Sequence, residues 1–89
     1  MVYSGGMKKE VRENWAVSID RVREFFLAQE DVLPLGLGYA YKSCVIQVRA
    51  QRGSGPLAME RTQLYFSGEA EDLEEIRRRF FLRFLSAGG

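Results

Sequence analysis

The sequence predicts a small two-layer α+β domain, an antiparallel β-hairpin packed against two helices. Three observations predict it. Residues 69–86 carry Leu73, Ile76, Phe80 and Phe84 at helical spacing. Residues 39–67 alternate apolar and polar side chains around the turn cluster Arg52-Gly53-Ser54-Gly55-Pro56. Residues 19–30 read as a second helix, which Ser18 would cap, with Asp20 in its first turn, if it begins at Ile19. The element order is α-β-β-α, or β-α-β-β-α if an N-terminal strand joins the hairpin as a third strand.

The chain has 89 residues, enough for one domain, and its 46% apolar content can build a core. Residues 1–6 read as a flexible lead, and residues 7–89 as the domain. From Met7 the apolar positions Val11, Trp15, Ile19, Val22 and Phe26 recur every three or four residues, as on one helix. Trp15, Val17 and Ile19 also alternate, so a strand over 15–18 followed by a helix from Ile19 fits the same segment. Both readings stand at this level. The β-α-β-β-α order resembles a truncated ferredoxin-like sandwich, in element order only.

Residues 31–38 read as a connection. Pro34 disfavours helix before it, and Gly36 and Gly38 suit turns. The segment is apolar through Val32, Leu33, Leu35 and Leu37, which predicts that it covers part of the core. Residues 39–51 read as one strand. Cys44, Ile46, Val48 and Ala50 share one face. Tyr39, Tyr41, Val45, Gln47 and Arg49 share the other. Residues 57–67 read as its partner, with Thr62, Leu64 and Phe66 inward and Met59, Arg61, Gln63 and Tyr65 outward. Pairing Ile46 with Leu64 and Cys44 with Phe66 aligns the apolar faces, although neighbouring registers preserve them too.

The last helix places Glu69, Glu71 and Asp72 at its start and Arg77, Arg78, Arg79 and Arg83 later, which complements its dipole. Phe81 and Leu85 widen its apolar stripe and Leu82 falls on the far side, so the final turns are apolar nearly all round. Such an end is usually covered.

Composition excludes much chemistry. The chain has no histidine, which removes the commonest general base and every His-based nucleophile pair. Its single cysteine, Cys44, excludes an internal disulfide and a Cys-rich zinc site. No catalytic, cofactor-binding or metal-ligating set is predicted, and the chain is not expected to be an enzyme. No apolar run spans a membrane and no signal peptide is evident, so a cytoplasmic protein is expected. Thirteen Lys and Arg against twelve Asp and Glu leave a net charge of +1, too little for strong phosphate binding. The glycine-rich turn lacks a Walker pattern. The acidic helix start and the Arg77–Arg79 cluster read as a salt-bridged surface. The terminal Gly88-Gly89 follows a helix, unlike the strand-borne tails of ubiquitin-like carriers.

What remains is a non-catalytic protein-interaction or regulatory module, expected to be a homodimer or to bind another protein. Its candidate contacts are Phe81, Leu82 and Leu85, with Tyr41, Arg49, Arg61 and Tyr65 on the outer sheet face. The alternative is weak single-stranded nucleic-acid binding through that Tyr- and Arg-bearing face.

Overall fold

A computed structural model describes residues 7–52 and 60–88. The elements run β1 (Lys8–Trp15), α1 (Ile19–Leu27), β2 (Leu33–Leu35), β3 (Gly38–Tyr41), β4 (Cys44–Arg52), β5 (Glu60–Glu69) and α2 (Ala70–Gly88). The strands form one antiparallel sheet in the order β1-β5-β4-β3-β2. The two-layer α+β class is as expected, with five strands where two or three were predicted. Four consecutive strands lie side by side, so the split βαβ of a ferredoxin-like sandwich is not present.

The N-terminal segment is a strand over 8–15, neither a continuous helix nor a strand confined to 15–18. Val11 and Trp15 are four residues apart. Four is close to a helical turn and is also an even number, so both side chains share a face in a strand too. Val11 faces Phe66 and Trp15 faces Thr62 across the β1–β5 ladder. The Ser18 cap is present: its Oγ accepts a hydrogen bond from the Arg21 amide at 3.4 Å.

Residues 31–41 depart further from expectation. The predicted core-covering loop is an edge hairpin. Of the four apolar side chains in 31–38 only Val32 is buried, while Leu33, Leu35 and Leu37 are 65%, 52% and 85% exposed. Gly36 takes the positive φ, +60°, that the tight β2–β3 connection requires. The strand expected over 39–51 breaks at Lys42-Ser43, with Lys42 at φ +53°. A two-residue turn reverses the chain, so Tyr39 pairs with Ile46 and Tyr41 with Cys44 on the inner face. Both tyrosines are therefore buried, at 3% and 1% exposed, not displayed outward. This turn has no Asn-Gly or Gly signature. Asp72 in the first turn of α2 holds it instead, accepting from the Ser43 amide at 3.3 Å and its hydroxyl at 2.8 Å. The Glu69 amide donates to the same Ser43 Oγ at 3.1 Å.

The β4–β5 register is Ile46↔Phe66 and Val48↔Leu64, two residues from the expected pairing. The faces survive because the slip is even. The ladder runs out to Arg52↔Glu60. The turn cluster 53–56 and Met59, placed on the outer face by pattern, lie outside the described residues, as do residues 1–6.

Both helices cover the inner face. Leu73, Ile76, Phe80 and Phe84 of α2 and Val22, Phe25 and Phe26 of α1 meet Ile46, Leu64 and Phe66 of the sheet. Thr62, wholly buried, donates to the Val17 carbonyl at 2.6 Å. Among the described residues no buried side-chain polar atom lacks a partner. One flank of α2 reaches β1 through the ion pairs Lys9–Glu74 and Glu13–Arg77. The other reaches the connection between α1 and β2 through Arg79–Asp31 at 2.9 Å.

Candidate functional site

Two surfaces carry the side chains that the core does not use. The first is the uncovered face of the sheet. Register sets its rows: Arg12, Tyr65 and Gln47 lie side by side across β1, β5 and β4, and Asn14, Gln63 and Arg49 form the next row. The Arg12 guanidinium stands 5.3 Å over the Tyr65 ring. Glu10 beside Tyr65 holds its phenol above the usual range, first by a hydrogen bond and then through burial and charge. Arg61 lies opposite Gln51 at the far end. Among the described residues neither Arg49 nor Arg61 is in an ion pair. Towards β2 the face turns apolar, through Val45, Leu35 and Leu37. A concavity of about 920 Å³ joins the two halves, lined by Arg12, Arg49, Gln63 and Tyr65 on one side and these apolar groups on the other.

The second surface is the outer side of α2. Phe81, Leu82 and Leu85 are 48%, 59% and 54% exposed, in contrast to the buried stripe beneath them. Phe81 sits edge-on to Trp15, with ring centroids 5.9 Å apart. Between this flank of α2 and β1 runs a groove of about 520 Å³, bordered by Glu13, Glu74, Arg77 and Phe81.

The structure thus brings Phe81, Leu82 and Leu85 together on the helix layer, and Arg49, Arg61 and Tyr65 together on the sheet. It separates Tyr41 from both. That side chain is in the core, with the Arg79 guanidinium 5.0 Å over its ring and donating to its hydroxyl at 3.3 Å. Sequence reasoning missed Arg12 as part of the sheet face, because the continuous-helix reading puts it between the stripe positions and the strand reading begins only at residue 15. It missed Leu35 and Leu37 as surface groups, because an apolar loop gives no sign of which way it will turn.

The remaining candidates resolve into structure. Arg77, Arg78 and Arg79 are ion-paired with Glu13, Glu74, Glu75 and Asp31. Burial pushes the Cys44 thiol up, away from a reactive thiolate. Among the described residues no three His, Cys, Asp or Glu side chains are grouped to hold a metal ion. No described helix is long and apolar enough to cross a membrane.

The ion pairs predict an acid sensitivity. Arg79 lowers Asp31, Lys9 lowers Glu74, and Arg78 with Arg79 lowers Glu75, in each case first through a hydrogen bond to the charged form. A carboxylate depressed in the folded state contributes stability that is complete above its ordinary pKa, 3.8 for Asp31 and 4.5 for the glutamates. That stability is lost as pH falls through the lower folded values. Urea midpoints are expected to be flat from neutrality down to that range and to drop below it. Asp31→Asn is expected to lessen the drop.

No family model, curated protein or solved structure matches the chain.

Proposed function

We propose that this chain is a non-catalytic protein-binding module that works as a homodimer. In this reading the α2 flank serves self-association, and the open sheet face meets a partner segment bearing carboxylates and apolar side chains. The observation that carries it is the sorting of exposed apolar groups. Among the described residues the core leaves no buried side-chain polar atom without a partner, yet Phe81, Leu82 and Leu85 lie exposed on one layer and Leu33, Leu35, Leu37 and Val45 at the edge of the other. A domain this small gains from burying such surface against a second copy. Light scattering across a concentration series is expected to give twice the 10.2 kDa chain mass. Phe81→Glu is expected to weaken the dimer by about tenfold or more while the far-ultraviolet circular dichroism is unchanged. A monomer at every concentration would overturn the homodimeric reading.

A second reading is weak single-stranded nucleic-acid binding across the sheet. What favours it is the Arg12–Tyr65 stack beside Arg49 and Arg61. With Tyr41 in the core, Tyr65 remains as a single stacking platform, where sequence-tolerant binders use several. This reading requires oligonucleotide binding that falls steeply with salt and is abolished by Arg49→Ala or Tyr65→Ala.

A further inference from the structure

We infer that two copies of this chain join edge to edge through β1, antiparallel, about a two-fold axis at Val11, so that the two sheets continue as one. The inference rests on the homodimeric reading above and adds the β1 edge to its contact, beside the α2 flank whose Phe81 rests on Trp15 of β1. β1 is an edge of the five-stranded sheet. The opposite edge, β2, is three residues long and carries Pro34 in its centre, which has no N–H to offer a neighbour. The β1 edge is eight residues long and contains no proline.

Its hydrogen-bonding pattern restricts how a second copy can pair. The Ala70 amide donates to the Met7 carbonyl at 2.7 Å, continuing the ladder in which Lys8 faces Glu69. Met7, Lys9, Val11, Glu13 and Trp15 therefore turn their main chains toward β5. Lys8, Glu10, Arg12 and Asn14 turn theirs outward. A symmetric antiparallel neighbour must match outward residues with outward residues, so the axis passes through a residue position.

Charge then selects among the central positions. An axis at Glu10 sets Glu10 against itself and Lys8 against Arg12. An axis at Arg12 sets Arg12 against itself and Val11 against Glu13. An axis at Val11 sets Glu10 against Arg12 of the second copy, Lys9 against Glu13 of the second copy, and each valine against the other. Charges along an edge ordinarily repel a neighbour; in this register every charge on 9–13 meets its opposite.

The inner face agrees. Lys9 already pairs with Glu74, and Glu13 with Arg77. The added Lys9–Glu13 contacts link the two intramolecular pairs into one alternating network across the axis. The same register sets Met7, 76% exposed, opposite Trp15 of the second copy, at the ring on which the exposed Phe81 rests. Thioether and aromatic faces attract, so the strand ends close apolar on apolar.

The test exchanges the outer-face pair, whose members form no ion pair among the described residues. By sedimentation equilibrium, Arg12→Glu, which sets glutamates against glutamates, is expected to weaken the dimer about tenfold or more. The swap Glu10→Arg/Arg12→Glu is expected to restore it. Val11→Cys is expected to form a covalent dimer on oxidation, because a non-hydrogen-bonded antiparallel pair holds its Cα atoms about 4.5 Å apart, within disulfide reach. A wild-type dimer that ignores Arg12→Glu and leaves Val11→Cys uncrosslinked would overturn the β1 contact while the homodimeric reading stands. A monomeric wild type would overturn both.

Discussion

Phe80→Ala is expected to destabilise the domain by about 4 kcal/mol, the largest loss from any single truncation in the core. The ring is 1% exposed and sits where both helices and β1 meet. Its centroid lies 4.5 Å from Phe84, 5.2 Å from Trp15, 5.4 Å from Phe25 and 5.8 Å from Phe26. Removing it costs the transfer of the ring and leaves a cavity walled by aromatic groups held from three directions, which cannot collapse together. Total stability for a domain of this size is about 5–10 kcal/mol, so the variant is left near the folding threshold. Urea unfolding followed by Trp15 fluorescence checks this directly. Leu27→Ala on α1, at a side chain 64% exposed, is expected to change stability by no more than about 0.5 kcal/mol. A loss under about 1.5 kcal/mol for Phe80→Ala would show that the aromatic cluster repacks.

Gly68→Ala is expected to cost about 3 kcal/mol by a different route. A Cβ on Gly68 would stand 2.6 Å from the Cys44 Cα and 2.7 Å from the Ser43 carbonyl oxygen. Both contacts are with backbone, so no rotamer change relieves them. Either β5 moves away from the start of β4 or the Lys42-Ser43 turn shifts. The second breaks the Ser43 bonds to Asp72 and Glu69 that tie the turn to α2 and to the end of β5. Loss of the β3–β4 connection would release Tyr39 and Tyr41 from the core. The variant should therefore unfold at lower urea and show early loss of amide protection at Tyr41 and Cys44 in hydrogen exchange. Unchanged protection there would mean that the strands separate locally and the turn holds. A Cβ on Gly38 would stand closer still, 2.2 Å from the Ile46 carbonyl oxygen, which explains a glycine at the first residue of β3.

The separation between what was legible and what was not follows periodicity. The core stripe of α2 was legible because Leu73, Ile76, Phe80 and Phe84 fit a helical period and fit no strand period. The inner faces of β4 and β5 were legible because a period of two survives an even slip of register, though the register itself does not. Val11 and Trp15 fit both periods, so β1 could not be told from a helix. The outer-face residues of β1, Arg12 among them, were hidden with it. Of the candidate contacts, Phe81, Leu82 and Leu85 were placed by helix geometry, and Arg49, Arg61 and Tyr65 by strand alternation. Tyr41 was misplaced because parity was counted through a turn that carries no turn residue.

By itself, the sequence determined the α+β class, the membership of most of the core and the removal of histidine chemistry, all consequences of local period and composition. The tertiary structure alone decided that residues 8–15 pair with β5, that Lys42-Ser43 reverses the chain, and that the leucines of 33–37 face outward. The first two depend on a partner distant in the chain, Phe66 for Val11 and Asp72 for Ser43, and the third on a hairpin whose inner side Tyr39 and Tyr41 fill. A local pattern cannot encode which distant group will be there to satisfy it.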